Sequence, residues 1–234
     1  MCDDCASPAR RRFLSLGAAG AFAAGFGLVA PAAARTTLTP DTALAALKQG
    51  NARFVAAPEL CEANMLNNRL AVASGQSPWA TVLGCADSRV PPELVFGGMS
   101  LGELFVCRNA GNLADTATVG SIEYGAEHLG APLVVVLGHK RCGAVAAACE
   151  VAEKGTALPG SIGPMVEPIV PVARELAGTG DLAEAVARES ARRTARSLAE
   201  DSEILAHLVH DGKLKVVAAY YDLDSGVVSF LDDA

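Results

Sequence analysis

Three segments of the chain are predominantly apolar and lack a helical period, and segments with helical patterning separate them. They are Ala80–Cys85, 133–137 and 214–221. A strand that is apolar on both faces is typical of a parallel sheet, because helices cover both faces of such a sheet. Strands that alternate with helices also imply crossover connections. The pattern therefore predicts an α/β fold with a mainly parallel central β-sheet flanked by helices.

Local signals define the remaining elements. Thr39 is a suitable N-cap and Pro40 a suitable first residue for the first helix, which forms an N-terminal helical arm together with the second helix. The turn residues 222–226 predict a hairpin-like end of the chain. The predicted helices cover 40–57, 62–74, 116–129, 143–154, 165–177 and 181–210, and the further predicted strands cover 103–108 and 227–231.

Residues 1–34 have the composition of a targeting segment. Arg10, Arg11 and Arg12 precede Phe13 and Leu14, a Gly/Ala-rich apolar stretch follows, and the segment ends in Pro-Ala-Ala-Ala. It resembles a twin-arginine signal, which directs a folded protein to the twin-arginine export machinery and is then cleaved. We therefore expect a periplasmic protein with a single domain over 35–234. The alternative is an uncleaved membrane anchor, because the apolar stretch is long enough to span a bilayer.

Composition and charge narrow the class of protein. With 234 residues, of which 51% are hydrophobic, the chain can bury a full core as one domain. Its formal net charge is −7, and basic residues form no obvious face. A nucleic-acid-binding protein needs such a face to neutralise phosphates, so this class is excluded.

Two of the apolar strands end in residues that can bind a metal. Cys85, Asp87 and Arg89 end the first, and His139 and Cys142 follow the second. Because ligands gather at the carboxyl ends of parallel strands, we expect both groups to meet at one edge of the sheet. Zinc prefers thiolate and imidazole ligands. The sequence therefore predicts one zinc ion per chain.

The fourth position of this zinc site can be filled in two ways. Asp87 can bind the metal and close a structural site. Alternatively, Arg89 holds the Asp87 carboxylate away in a two-pronged ion pair, and a water occupies the position. Metal-bound water loses its proton near neutral pH, so the second arrangement predicts attack of a hydroxide on a small electrophile.

The five cysteines that follow the leader do not suggest a disulfide framework, because their number is odd. An exported protein would ordinarily oxidise its thiols. We expect Cys85 and Cys142 to bind zinc in the cytoplasm and to be exported as protected metal thiolates. The other three cysteines are best explained as small apolar filling of the core.

At these residues the chain resembles the β-class carbonic anhydrases. The resemblance covers about 49–231 and is carried by the motifs at 50–54, 85–90, 102–112, 138–143 and 221–226. It implies that Cys85, His139 and Cys142 are the permanent zinc ligands. It also implies that Asp87 and Arg89 form the catalytic dyad, in which Asp87 binds zinc in a closed form. The implied reaction is the reversible hydration of carbon dioxide to bicarbonate and a proton by metal-bound hydroxide.

The same resemblance assigns residues around the substrate. Gln76 corresponds to a substrate-side amide, and the backbone N–H of Gly143 faces the substrate. Phe105 and Tyr124 correspond to pocket residues that a neighbouring subunit supplies, which implies a homodimer or a higher homo-oligomer. Val82 stands where bicarbonate-inhibited members carry a Trp, so we expect no inhibition of that kind.

Two other functions are compatible with these residues. The same site could hydrolyse carbon disulfide or carbonyl sulfide, as some relatives do, and the sequence does not separate these substrates from carbon dioxide. The second alternative is a non-catalytic module that zinc stabilises and that binds a partner protein.

Overall fold

The computed structural model describes residues 35–63 and 68–231. The predicted signal at 1–34 lies outside the described residues. Within them, no helix is long and apolar enough to cross a membrane.

One five-stranded sheet forms the centre of the described chain. Its strands are β1 (Ala80–Cys85), β2 (Leu104–Asn109), β3 (Leu133–His139), β4 (Lys215–Tyr221) and β5 (Val228–Phe230). The spatial order is β2-β1-β3-β4-β5. The first four strands are parallel, and β5 pairs with β4 in antiparallel orientation. The predicted α/β fold with a mainly parallel sheet is confirmed, and so is the hairpin-like end.

Helices connect the strands and cover both faces of the sheet. They are α1 (Pro40–Ala56), α2 (Pro58–Ala63), α3 (Arg69–Val72), α4 (Pro92–Val95), α5 (Thr116–Glu123), α6 (Gly143–Lys154), α7 (Ile162–Val166), α8 (Val170–Glu175), α9 (Leu182–Asp201) and α10 (Glu203–His210). A π-helical turn, Tyr124–His128, extends α5, and a 3-10 turn, Glu167–Ile169, joins α7 to α8.

Three predicted helices are interrupted in the structure. The prediction for 62–74 spans parts of α2 and α3, with residues 64–67 outside the described part of the chain. The prediction for 165–177 starts too late, because α7 begins at Ile162. The prediction for 181–210 is wrong at Ser202, whose extended backbone ends α9 and whose hydroxyl accepts the Leu205 N–H as the N-cap of α10.

The two faces of the sheet have separate cores. One core includes Leu47 of α1 and Phe96, which follows α4. The other includes residues of α6, α8, α9 and α10. Gly138 lets α9 approach the sheet closely, because a Cβ at this position would lie 3.1 Å from the Ala187 carbonyl oxygen. This close contact is next to the end of β3.

Asn51 connects α1 to the turn between β4 and β5. Its buried side-chain amide donates to the carbonyl oxygens of Val95 at 3.1 Å and Gly226 at 2.9 Å. Its Oδ1 accepts the Val228 N–H at 2.8 Å. Because these three backbone groups depend on one side chain, Asn51 fixes the position of the turn.

Candidate metal centre

Three potential metal donors meet where β1 and β3 end. Cys85 is the last residue of β1, His139 is the last residue of β3, and Cys142 is the N-cap of α6. The pairing of β1 with β3 is parallel, so both strands end at the same edge of the sheet. The Sγ and ring nitrogen atoms of the three residues all lie within 4.8 Å of one another. All three residues are buried.

The geometry of this donor set fits a tetrahedral zinc ion. The two Sγ atoms are 3.9 Å apart, and Zn–S bonds of about 2.3 Å at tetrahedral angles require about 3.8 Å. His139 Nδ1 lies 2.9 Å from the Lys140 carbonyl oxygen. That oxygen can only accept, so Nδ1 carries the proton and Nε2 keeps its lone pair. Nε2 is buried and has no hydrogen-bond partner within 35–63 or 68–231.

The sulfur atoms of Cys85 and Cys142 are in contact, and each affects the pKa of the other. The contact with Cys142 lowers the pKa of Cys85 against the opposing effect of burial, and the Gly111 N–H, which donates to the Cys85 sulfur at 3.4 Å, lowers it further. The contact with Cys85 and burial raise the pKa of Cys142, while the backbone N–H groups of Val145 and Ala144 lower it. A divalent cation would displace the thiol protons and stabilise both thiolates.

Asp87 and Arg89 form a two-pronged ion pair beside the three donors. Arg89 Nε donates to Oδ1 at 2.9 Å and Nη2 donates to Oδ2 at 2.6 Å. The backbone N–H of Arg89 also donates to Oδ1, at 2.9 Å. These hydrogen bonds from Arg89 hold the pKa of Asp87 well below its usual range. Asp87 therefore stays ionised at neutral and mildly acidic pH.

This ion pair holds the Asp87 carboxylate next to the donor set but outside it. Oδ2 lies 3.9 Å from His139 Nε2, and Asp87 is not one of the three residues whose donor atoms cluster. The described arrangement corresponds to the second of the two expected for the fourth position, with Arg89 retaining the carboxylate.

Backbone contacts that the sequence did not predict fix the loop after β1. Arg108 Nε donates to the Cys85 carbonyl oxygen at 2.8 Å, and its Nη2 donates to the Asp87 carbonyl oxygen at 2.5 Å. Arg89 Nη2 donates to the Arg141 carbonyl oxygen at 3.2 Å. The only sequence signal for a role of Arg108 was its place in the motif at 102–112. A hydrogen bond from a side chain to a backbone carbonyl oxygen leaves no pattern in the sequence.

The remaining predicted site residues divide into two groups. Gly143 is the exposed first residue of α6, and a Cβ there would meet no atom within 4 Å. Phe105 pairs with Thr81 in β1, about 13 Å along the strand from Cys85. Tyr124 packs near Phe105, with ring centroids 6.2 Å apart. The structure therefore does not bring these two rings to the metal donors of the same chain.

Gln76 also lies away from the metal donors of its own chain. It is exposed in the segment that precedes β1, whereas Cys85 ends that strand. The substrate-side roles of Gln76, Phe105, Tyr124 and Gly143 stay predictions.

An apolar cavity of about 600 Å³ lies between α8, α9 and the segment that follows β2. Its lining includes Asn109 and Leu113 but none of the three metal donors. The chemistry-bearing residues are thus at the edge of the sheet and outside this cavity.

Comparison with known proteins places the chain among carbonic anhydrases. Residues 80–228 match the family model described as carbonic anhydrase. Carbonic anhydrase 2 of Mycobacterium tuberculosis is 40% identical over 190 residues, which cover 80% of this chain and 90% of that protein. The carbonic anhydrase of Mycolicibacterium smegmatis is 44% identical over 132 residues, which cover 56% of this chain and 64% of that protein.

Solved structures show the same fold. A β-carbonic anhydrase of Aspergillus fumigatus superposes with a TM-score of 0.63 at 28% identity, covering 83% of this chain and 91% of that one. A tetrameric β-carbonic anhydrase of Sordaria macrospora gives a TM-score of 0.64 at 23% identity, covering 82% and 98%. The similarity to the Sordaria macrospora structure shows that the fold is the same.

We expect the purified protein to bind one zinc ion per chain and to lose it when His139 is replaced. His139→Ala removes a buried donor and should lower zinc affinity at least tenfold. Elemental analysis after dialysis measures the zinc content. Chelation of zinc from the unmodified protein should lower its melting temperature by roughly 5–10 °C. His207→Ala, at an exposed position on α10, is the matched control. Full zinc occupancy in His139→Ala would contradict the assignment.

Proposed function

Because the chain belongs to the β-carbonic anhydrase family, we propose that it catalyses the reversible hydration of carbon dioxide to bicarbonate and a proton. The observation that carries the proposal is the meeting of a Cys85, His139 and Cys142 donor set with an Asp87–Arg89 ion pair. A bound zinc ion supplies a Lewis acid that acidifies a coordinated water. The protein holds the ion with three residues and controls what lies next to it.

Asp87 orients the attacking water through a hydrogen bond. Its carboxylate is ionised, and both prongs of Arg89 hold it with Oδ2 3.9 Å from His139 Nε2. An ionised carboxylate can only accept hydrogen bonds, so the water must turn a hydrogen toward Asp87 and a lone pair toward the substrate. The proton released by the reaction leaves to solvent.

Gly143 leaves room for the substrate at the start of α6. Gly143 is the exposed first residue of this helix, and a Cβ there would project into open space. A helix N-terminus favours negative charge. The exposed N–H of Gly143 can therefore stabilise the charge that develops on the carbon dioxide oxygens as bicarbonate forms.

We also propose that the active form is a homodimer in which each subunit supplies Phe105 and Tyr124 to its partner. Strand β2 is an edge strand of the sheet with half-buried side chains, and Tyr124 next to it is 48% exposed. An exposed edge strand is a ready surface for pairing with another chain. A second copy on this face would cover both rings.

We propose further that residues 1–34 direct export to the periplasm through the twin-arginine machinery. The support is the run of arginines at 10–12 followed by Phe13, Leu14 and a mildly apolar stretch. Folding before export is consistent with a chain whose described cysteines are all free.

The first test is stopped-flow hydration of carbon dioxide by the zinc-loaded protein. We expect turnover with zinc near one per chain, and loss of about a hundredfold in kcat with zinc retained in Arg89→Ala, because Asp87 is no longer held. Arg192→Ala, at a partly exposed position on α9, is the control. Sulfide release from carbon disulfide and carbonyl sulfide is measured in parallel. A zinc-loaded protein without turnover at alkaline pH would refute the proposal.

The second test is subunit complementation. Cys142→Ser removes a metal donor but leaves Phe105 intact, and Phe105→Ala has the reverse defect. If each site uses the partner's ring, hybrids formed by mixing the two variants contain one complete site. We expect the mixture to exceed the summed activities of the separate variants. Sedimentation verifies that hybrids form, and hybrids without a gain would show that Phe105 acts within its own subunit or not at all.

The third test concerns export. Replacing Arg10 and Arg11 together by Lys should retain the protein in the cytoplasm, because the export machinery reads the arginine pair. Cell fractionation measures its distribution, and the mass of the periplasmic form shows whether the segment is cleaved. A variant that reaches the periplasm normally would contradict the twin-arginine assignment.

A further inference from the structure

We propose that Asp224, in the turn between β4 and β5, is a positioning residue for the Asp87–Arg89 pair. This inference rests on the proposed carbon dioxide hydration and adds a residue to its machinery. Asp224 does not contact the metal donors or the dyad. It acts through Arg141, which lies between His139 and Cys142 in the chain.

The side chain of Arg141 is held by Asp224 at two points. Arg141 Nη1 donates to Oδ2 at 3.0 Å, and Nη2 donates to Oδ1 at 2.5 Å. Lys140 adds a second cation, with Nζ 2.9 Å from Asp224 Oδ2 and 3.2 Å from Asp222 Oδ2. The segment between two metal donors is therefore tied to the 222–226 turn by paired charges on adjacent residues.

The backbone of Arg141 has a conformation that needs support. Its φ is 53°, in the left-handed region that residues with a Cβ rarely adopt. In this conformation its carbonyl oxygen accepts from Arg89 Nη2 at 3.2 Å. The same nitrogen donates to Asp87 Oδ2. The backbone conformation of Arg141 therefore sets the position of the Arg89 guanidinium, and that guanidinium in turn sets the position of the Asp87 carboxylate.

The turn that carries Asp224 is itself rigidly placed. Asp222 Oδ1 accepts the backbone N–H groups of Asp224 at 2.7 Å and Ser225 at 3.2 Å. Asn51 donates to the Gly226 carbonyl oxygen. Asp224 therefore has a fixed position, from which it can hold Arg141 in its strained backbone conformation.

A plain surface ion pair would not have this effect. The Arg141 and Asp224 side chains are 53% and 56% exposed, and pairs at such positions contribute little to global stability. Glu175 and Arg193 form a similar pair, with contacts of 3.2 and 2.5 Å. Arg193 lies inside α9, where the backbone needs no support from a side chain. Loss of the Glu175–Arg193 pair therefore measures the effect of charge pairing alone. Loss of the Asp224–Arg141 pair measures this effect together with the positioning of Arg141.

The experiment compares substitutions at both ends of the contact, in the zinc-loaded full-length protein. Asp224→Asn and Arg141→Ala each remove the ion pair and leave a residue with a Cβ at positive φ. We expect each to lower kcat about fivefold with KM and zinc content unchanged. Glu175→Gln, the matched control, should leave kcat unchanged.

Arg141→Gly distinguishes positioning from a structural role. Glycine adopts positive φ without strain, so Asp224 should no longer matter in this background. We expect Asp224→Asn to leave kcat unchanged when it is added to Arg141→Gly. An equal loss in the Arg141→Gly and unmodified backgrounds, or no loss in either, would overturn the proposal.

A crystal structure of Asp224→Asn provides a readout that does not depend on activity. We expect the Arg141 carbonyl oxygen to turn away from Arg89, and an unchanged Arg141 φ with an intact Arg89 contact would overturn the proposal. If the unmodified protein does not hydrate carbon dioxide, the proposed function fails, and the crystal structure still tests the positioning.

Discussion

The parallel pairing of β1 with β3 is the constraint on which the site depends. Parallel strands end at one edge of a sheet. This pairing therefore brings Cys85 and His139 together although they are distant in the chain. The glycine before His139 lets α9 pack directly on the sheet at this point. Cys142 then follows within one turn as the N-cap of α6. A shift of register between the two strands would separate the donors.

Arginine side chains perform a second, repeated task around this edge. Arg108 holds the carbonyl oxygens of Cys85 and Asp87, and Arg89 holds a carboxylate and the carbonyl oxygen of Arg141. A guanidinium has five donors in a fixed plane, so it can hold two acceptors at once. Loops that lack regular backbone hydrogen bonds thereby keep a defined geometry around the donor set.

The elements that the sequence predicted well are those governed by local pattern. The bounds predicted for β1 agree with the structure, because an apolar run between polar segments leaves little choice, and Thr39 caps α1 as expected. The break at Ser202 was missed because Ser is compatible with a helix interior as well as with an N-cap. The link from Asp224 to Arg141 was missed because it joins residues distant in the chain through charges that occur on any surface.

The buried Nε2 atom of His139 has a consequence for the stability of the core around it. Within 35–63 and 68–231 this nitrogen has no hydrogen-bond partner, and a buried polar atom without a partner is costly. His139 follows Gly138, where α9 approaches the sheet, so the surrounding core leaves little room for a compensating rearrangement. A divalent cation bound here would satisfy this nitrogen and the sulfurs of Cys85 and Cys142, so we expect the metal-free and metal-loaded proteins to differ in how readily this part of the core opens.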